Sequence, residues 1–293
     1  MRREKGDSDK MELIVAEHAG FCYGAKRAVG EVYSLLEKGC KIATYGPILH
    51  NERLVEELKE KGVRIVNSTD EIASLDKDTV LVIRAHGVTK QVMEEVEKAG
   101  IRCVDATCPF VERIHRIARE ESGRGKTVFV AGDPDHPEVE GIVSYAGEGA
   151  RVIRNPEEAR DLPPGEGLSI CLVAQTTFRN NYFQEIVEIL LDRGYNVNVV
   201  DTICNATEER QKEAADIASS ADAMIVIGGR SSSNTKKLFD ICSDRCSRTY
   251  FAGDARDLPE SFPEGVNIIG VTAGASTPQN TIEEVCSYVR GIF

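Results

Sequence analysis

The 293-residue chain has no tryptophan, only five histidines, and no apolar run near the ~18 residues that a membrane span needs. The missing tryptophan excludes nothing, but the few histidines make each one worth placing. Met1 to Lys10 is polar and charged and lacks the apolar centre of a secretory leader. The expectation is a flexible tail, 1–10, on a cytoplasmic protein. Basic residues are outnumbered 36 to 48, for a net charge of −12. That argues against nucleic acid or an acidic membrane as partner. An anionic substrate would need a locally positive or N–H-rich pocket. No Cys-x-x-Cys pair occurs, which disfavours structural zinc. Cys242-x-x-x-Cys246 is followed by Thr249, so the cysteine triplet of radical enzymes that use S-adenosylmethionine is also missing. Gly228-Gly229 lacks the dinucleotide fingerprint, so the sequence offers no nicotinamide or flavin site.

What is present is a repeated junction. In Val104-Asp105-Ala106-Thr107-Cys108-Pro109 an apolar strand ends, a cysteine follows, and Pro109 opens an amphipathic helix. Val199-Val200-Asp201-Thr202-Ile203-Cys204 does the same, as does Ile14-Val15-Ala16 leading through Gly20-Phe21 to Cys22. A cysteine at a helix start meets unpaired N–H groups and the positive end of the dipole, which favour the thiolate that binds metals. His50, His136 and Ser232 each lie 28 residues after a cysteine. A looser set, His86, Thr176 and Ser276, lies further along each segment. All six fall in loops after apolar strands, where parallel α/β sheets bind ligands. Strands alternate with helices throughout. The expected fold is α/β, with three similar small lobes of mainly parallel sheets arranged pseudo-threefold around a central metal site. The lobes would be 11–107 with Cys22, 108–203 with Cys108, and 204–293 with Cys204.

Individually these signals are modest. Cys22, Cys108 and Cys204 alone could be small buried hydrophobes. Together they could hold several metals, including an iron–sulfur cubane with one iron left open. Cys103 and Cys171 lie inside apolar strands and read as core. Cys40, Cys242, Cys246 and Cys286 are assigned no role. His50, His86 and His136 suggest a cationic pocket able to offset a phosphate. Ser232-Ser233-Asn234 reads equally as an N-cap or as a phosphate loop at a helix start. Glu138 could supply a proton or simply be part of a solvated acidic loop with Glu140.

Taken in order, the motifs are specific. They are Gly20-Phe21-Cys22-x-Gly24, Leu49-His50-Asn51, Arg84-Ala85-His86-Gly87, Asp105-Ala106-Thr107-Cys108-Pro109, His136-Pro137-Glu138-Val139-Glu140-Gly141, Gln175-Thr176-Thr177, Ser232-Ser233-Asn234 and Thr272-Ala273-Gly274-Ala275-Ser276. From about Met11 onward the chain closely resembles the LytB family of 4-hydroxy-3-methylbut-2-enyl diphosphate reductases. The resemblance implies reductive dehydroxylation of that allylic diphosphate to isopentenyl and dimethylallyl diphosphate, the last step of the methylerythritol phosphate route to isoprenoids. It implies a 4Fe-4S cluster on Cys22, Cys108 and Cys204 with one open iron, and proton relay by Glu138 with Thr176. His50, His86, His136, Thr176, Ser232, Ser233, Asn234 and Ser276 would bind substrate. A ferredoxin or flavodoxin would donate electrons. The alternatives are a quinolinate-synthase-like iron–sulfur dehydratase and a non-catalytic metal or redox sensor.

Overall fold

A computed structural model describes residues 2–5 and 11–292 of the chain. Strands β1 (Arg2–Lys5) and β2 (Glu12–Val15) come first, followed by helix α1 (Tyr23–Glu37). The next stretch runs β3 (Lys41–Tyr45), α2 (Glu52–Glu60), β4 (Arg64–Val66), α3 (Thr69–Ala73), β5 (Thr79–Ile83), α4 (Lys90–Ala99), β6 (Arg102–Asp105). The same plan recurs as α5 (Pro109–Gly123), β7 (Thr127–Ala131), α6 (Pro137–Tyr145), β8 (Arg151–Ile153), α7 (Pro156–Arg160), β9 (Ser169–Ala174), α8 (Asn180–Asp192), β10 (Asn196–Val199). It recurs again as α9 (Asn205–Ala218), β11 (Ala223–Ile227), α10 (Ser233–Ser243), β12 (Thr249–Ala252), β13 (Ile268–Ala273), α11 (Gln279–Ile292).

The strands form three sheets, ordered β4-β3-β5-β6, β8-β7-β9-β10, and β12-β11-β13-β2-β1. Apart from β1, every pairing is parallel, and the first four strands of each sheet follow one plan. Three parallel α/β lobes are therefore present, as the alternation of elements predicts. In the order given, the fourth strand of each sheet precedes a cysteine. β6 precedes Cys108 and β10 precedes Cys204. The strand before Cys22, β2, lies beside β13, with Val15 opposite Val271. Residues 12–15 thus share a sheet with the C-terminal lobe, not with 41–105.

Central strands are buried on both faces, which is why they read as unbroken apolar runs. Every residue of β5 and of β11 is buried. Arg2–Lys5, expected within a flexible tail, instead pair antiparallel with β2, Arg2 opposite Val15 and Lys5 opposite Glu12. They cover an edge whose N–H and C=O groups would otherwise lack ladder partners. Met1, residues 6–10 and Phe293 lie outside the described residues. No helix among the described residues is long and apolar enough to cross a membrane.

The chain divides into two compact units. One comprises Met1–Lys26, Leu49–Glu57 and Asn205–Phe293; the other comprises Arg27–Ile48 and Leu58–Cys204. The first contains the β11-centred sheet. Leu13, Ile225, Ile227 and Val271 form the core on one of its faces, with Val285 and Val289 of α11. The second contains the other two sheets. One core there joins Leu81 and Ile83 to Val92 and Val96 of α4. Another joins Ile114 and Ala118 of α5 to Val128, Val130 and Ile142.

Candidate active site

Each motif cysteine is fixed by its own backbone. The Cys108 N–H donates to Ala85 O at 3.0 Å, Cys204 N–H to Thr176 O at 3.1 Å, and Cys22 N–H to Ala275 O at 3.2 Å. Each acceptor lies in the turn that follows the third strand of a sheet. Asp105 and Asp201, each three residues before a cysteine, accept the N–H of Thr107 (2.9 Å) and Ile203 (3.0 Å) and close a turn. That is the local reason for an aspartate in both Val-Asp-x-x-Cys stretches. Cys108 is the N-cap of α5, and its thiol makes no capping bond. The Ala25 N–H points at Cys22 Sγ, 3.4 Å away. None of the three is in a disulfide, and all are partly exposed.

These bonds refine the repeat. Gly87 N–H bonds Arg84 O, Phe178 N–H bonds Gln175 O, and Thr277 N–H bonds Gly274 O, each closing the same turn. By that register the counterpart of His86 and Ser276 is Thr177. Thr176 matches Ala85 and Ala275. The looser offsets of the second set conceal this one-residue shift. Glycine carries a stricter repeat: Gly46, Gly132 and Gly228 each lie 24 residues after a cysteine. Each donates its N–H to the neighbouring edge strand, at Val66 O, Ile153 O and Ala252 O.

In the second unit, Glu138 is 1% exposed. Its carboxylate accepts the Thr176 N–H at 2.6 Å and the Thr176 hydroxyl at 2.8 Å. Glu138 stands on α6, not in the solvated acidic loop that the sequence also allowed. The overlooked signals are Pro137 at the first helical position and acidic residues in the first turn. His136 is the N-cap, and its Nδ1 accepts the Glu138 N–H at 3.2 Å. When neutral, that ring therefore carries its proton on Nε2. The His86 ring meets the His136 ring edge-on, 5.3 Å between centroids.

In the first unit, Ser232 caps α10 by accepting the Thr235 N–H at 3.3 Å. The Ser276 hydroxyl donates to His50 O at 3.1 Å and lies 3.4 Å from Ser232 Oγ. Asn234 Oδ1 accepts the Ala275 N–H at 3.0 Å, which directs its amide NH2 elsewhere. That Nδ2 is buried with no hydrogen-bond partner among the described residues, the state of a donor built for a ligand. Ser233 is the first residue of α10. Ser231 is engaged otherwise: its N–H and hydroxyl both donate to Glu52 Oε1. Burial pushes the Glu52 carboxyl up, but the Ser231 bonds outweigh it and hold it below its ordinary range. Gly229 must be glycine, since a Cβ there would lie 2.5 Å from His50 O.

The structure thus gathers Cys108, Cys204, His86, His136, Glu138 and Thr176 in one unit, and Cys22, His50, Ser232, Asn234 and Ser276 in the other. His115 is buried, and His18 is held by Glu213.

The family model described as LytB protein matches residues 13–290. A 4-hydroxy-3-methylbut-2-enyl diphosphate reductase of Caldanaerobacter subterraneus subsp. tengcongensis is 40% identical over 284 residues, covering 96% of this chain and 98% of its own. One from Geotalea uraniireducens is 42% identical over 282 residues, with 96% and 98% coverage. A solved structure of (E)-4-hydroxy-3-methyl-but-2-enyl diphosphate reductase, described as the terminal enzyme of the non-mevalonate pathway, is 37% identical with a TM-score of 0.66, covering 96% and 99%. The structure of the Plasmodium falciparum reductase gives a TM-score of 0.87 at 27% identity, covering 96% of this chain and 87% of its own. With a match of this extent and identity, the chain belongs to the LytB family.

Proposed function

We propose that the chain reduces 4-hydroxy-3-methylbut-2-enyl diphosphate to isopentenyl and dimethylallyl diphosphate, with Glu138 as proton donor to the departing hydroxyl. It is an oxidoreductase of the iron–sulfur kind expected for its family. The observation that carries the reading is the buried Glu138 carboxylate, gripped twice by Thr176.

The donor set fits a 4Fe-4S cluster on Cys22, Cys108 and Cys204, with one iron open. All three lie outside any disulfide, are partly exposed, and immediately precede helices. Burial drives the Cys103 and Cys171 thiols up to about 11 and the Cys242 thiol to about 12, so these are poor thiolate ligands. When bound, such a cluster supplies Lewis acidity and relays electrons.

The chain's own groups do the rest. Two electrons and two protons convert the allylic alcohol to an alkene and water. Hydroxide is a poor leaving group, so a positioned acid is needed. A protonated Glu138 serves as that acid, and the Thr176 hydroxyl orients it. Ser232, Ser233, Asn234, Ser276 and His50 hold diphosphate oxygens, and His86 and His136 add donors. The start of α10 adds the positive end of its dipole. Binding energy from the diphosphate fixes the distant allylic carbon in place for reaction. The electrons come from an external ferredoxin or flavodoxin.

The test is anaerobic turnover with a chemical reductant after iron–sulfur reconstitution. Formation of the two isomeric diphosphates is the expected result. No product from fully loaded protein would overturn the assignment.

A further inference from the structure

We infer that Arg210 and Glu213 are positioning residues that set the backbone of the Cys22 loop. Both lie on α9, one turn apart. Arg210 is 4% exposed. Its Nε donates to His18 O and its Nη2 to Gly20 O, each at 2.8 Å. Glu213 Oε1 accepts the Glu17 N–H at 2.8 Å, and Oε2 accepts the His18 N–H at 2.9 Å. The cation takes the carbonyls and the anion takes the amides. Four bonds thus fix residues 17–20, which end two positions before Cys22. His18 Nδ1 adds a contact to Glu213 Oε2 at 2.9 Å.

The loop has little other freedom. Gly20 sits at φ +98°, and a Cβ there would lie 2.9 Å from Ile282 Cδ1. Its conformation is one that L side chains rarely adopt, so something must hold it. A planar guanidinium suits two carbonyls at once, which an ammonium does not.

A second unit carries the same device independently. Arg27, on α1, donates Nη1 to Thr107 O at 2.8 Å and Nη2 to Asp105 O at 3.2 Å. Those carbonyls lie one and three residues before Cys108. The loop before Cys204 is fixed differently. There the Thr202 hydroxyl donates to Ala174 O at 2.6 Å and accepts the Ala174 N–H at 2.8 Å. Each proposed ligand is thus preceded by backbone held from outside its own loop. A metal site gains affinity from such support, since the ligand need not be ordered on binding.

The inference rests on Cys22 being a cluster ligand, so its test separates the two claims. The full-length wild type, Arg210→Met, Arg210→Lys and Glu213→Gln are compared. Metal-free samples are followed by hydrogen–deuterium exchange in peptides covering residues 16–22, with a control over 127–174. Reconstituted samples are followed anaerobically for iron loss to a chelator. Arg210→Met should exchange at least tenfold faster in 16–22 with the control unchanged, and should lose iron several-fold faster. Arg210→Lys should fall between it and wild type. Unchanged exchange in 16–22 would overturn the clip, and so would acceleration over the whole chain in both Arg210 variants. Faster exchange with wild-type iron retention would overturn the positioning role. A wild type that takes up no iron–sulfur while the exchange effect persists would overturn the cluster assignment and leave the clip standing.

Discussion

Thr176 gives both its N–H and its hydroxyl to the carboxylate of Glu138, one to each oxygen. Glu138→Gln keeps the size but offers a single acceptor oxygen and no acidic proton. Turnover should fall by about 10²–10⁴, the usual contribution of a positioned acid. Iron content and the unfolding midpoint should stay near wild type. Thr176→Val keeps the N–H bond and should lose less, roughly 10- to 100-fold, since one hydrogen bond to a charged carboxylate is typically worth about 1.5–3 kcal/mol. Steady-state rates normalised to bound iron check both. A Glu138→Gln enzyme with wild-type turnover would remove the proton-donor role.

Asn234 provides a separable test of diphosphate binding. Asn234→Asp retains an oxygen for the Ala275 N–H but replaces the buried, unmatched NH2 with a second acceptor. An anion there repels diphosphate and removes a donor. KM should rise at least about tenfold, because a lost hydrogen bond to a charged group costs about 1.5–3 kcal/mol before the added repulsion. A KM within twofold of wild type would take Asn234 out of the substrate site.

Thiol reactivity distinguishes the proposed ligands from the core cysteines. In metal-free native protein at pH 8, an alkylating reagent should modify Cys22, Cys108 and Cys204. Cys171 and Cys242 are fully buried, with thiols raised to about 11 and about 12, and should remain unmodified until the chain unfolds. Peptide mass spectrometry reads the sites directly. Early labelling of Cys171 or Cys242 would contradict the burial described above.

His115 governs part of the acid stability. Its ring stacks on Tyr145 at 4.6 Å. Burial pushes its pKa down to about 4, against the raising effect of the Asp105 charge, and Arg119 adds to the lowering. Above about pH 6.5 both folded and unfolded chains hold this histidine neutral. Between pH 6.5 and 4 the unfolded chain takes up a proton that the folded one refuses. Stability is therefore lost over that window, by up to about 1.4 kcal/mol per pH unit from this group. Below pH 4 its contribution levels off. Denaturant midpoints from pH 7 to 5 should decline less steeply in His115→Gln than in wild type. Parallel curves would show that His115 does not titrate this way.

Most elements were legible because local chemistry and tertiary context agreed. The runs 79–83 and 223–227 are apolar throughout, and each became a fully buried strand. Cys108 and Cys204 were readable from the strand, aspartate turn and helix start that bracket them. Three features were hidden. α6 was masked by the Asp133-Pro134-Asp135 turn before it. The pairing of β2 with β13 joins segments at opposite ends of the sequence, which periodicity does not report. Arg210 and Glu213 sit in Glu208-Glu209-Arg210-Gln211-Lys212-Glu213, which reads as a solvated helix face. Only the fold shows which of those charges turn inward.

The strand order of the β11 sheet bears on how the protein is made. Leu13 and Ile14 are synthesised well before their parallel neighbour at Ile268–Ala273, which follows about 250 residues later. At ribosomal speeds of about 5–20 residues per second, an apolar segment waits some 12–50 seconds for its place in a sheet. The two sheets of the other unit need no such delay, because every one of their strands falls between residues 41 and 199. Nascent chains arrested before residue 268 should therefore be protease-resistant over 58–204, while cleavage near Leu13 stays fast until β13 has been made.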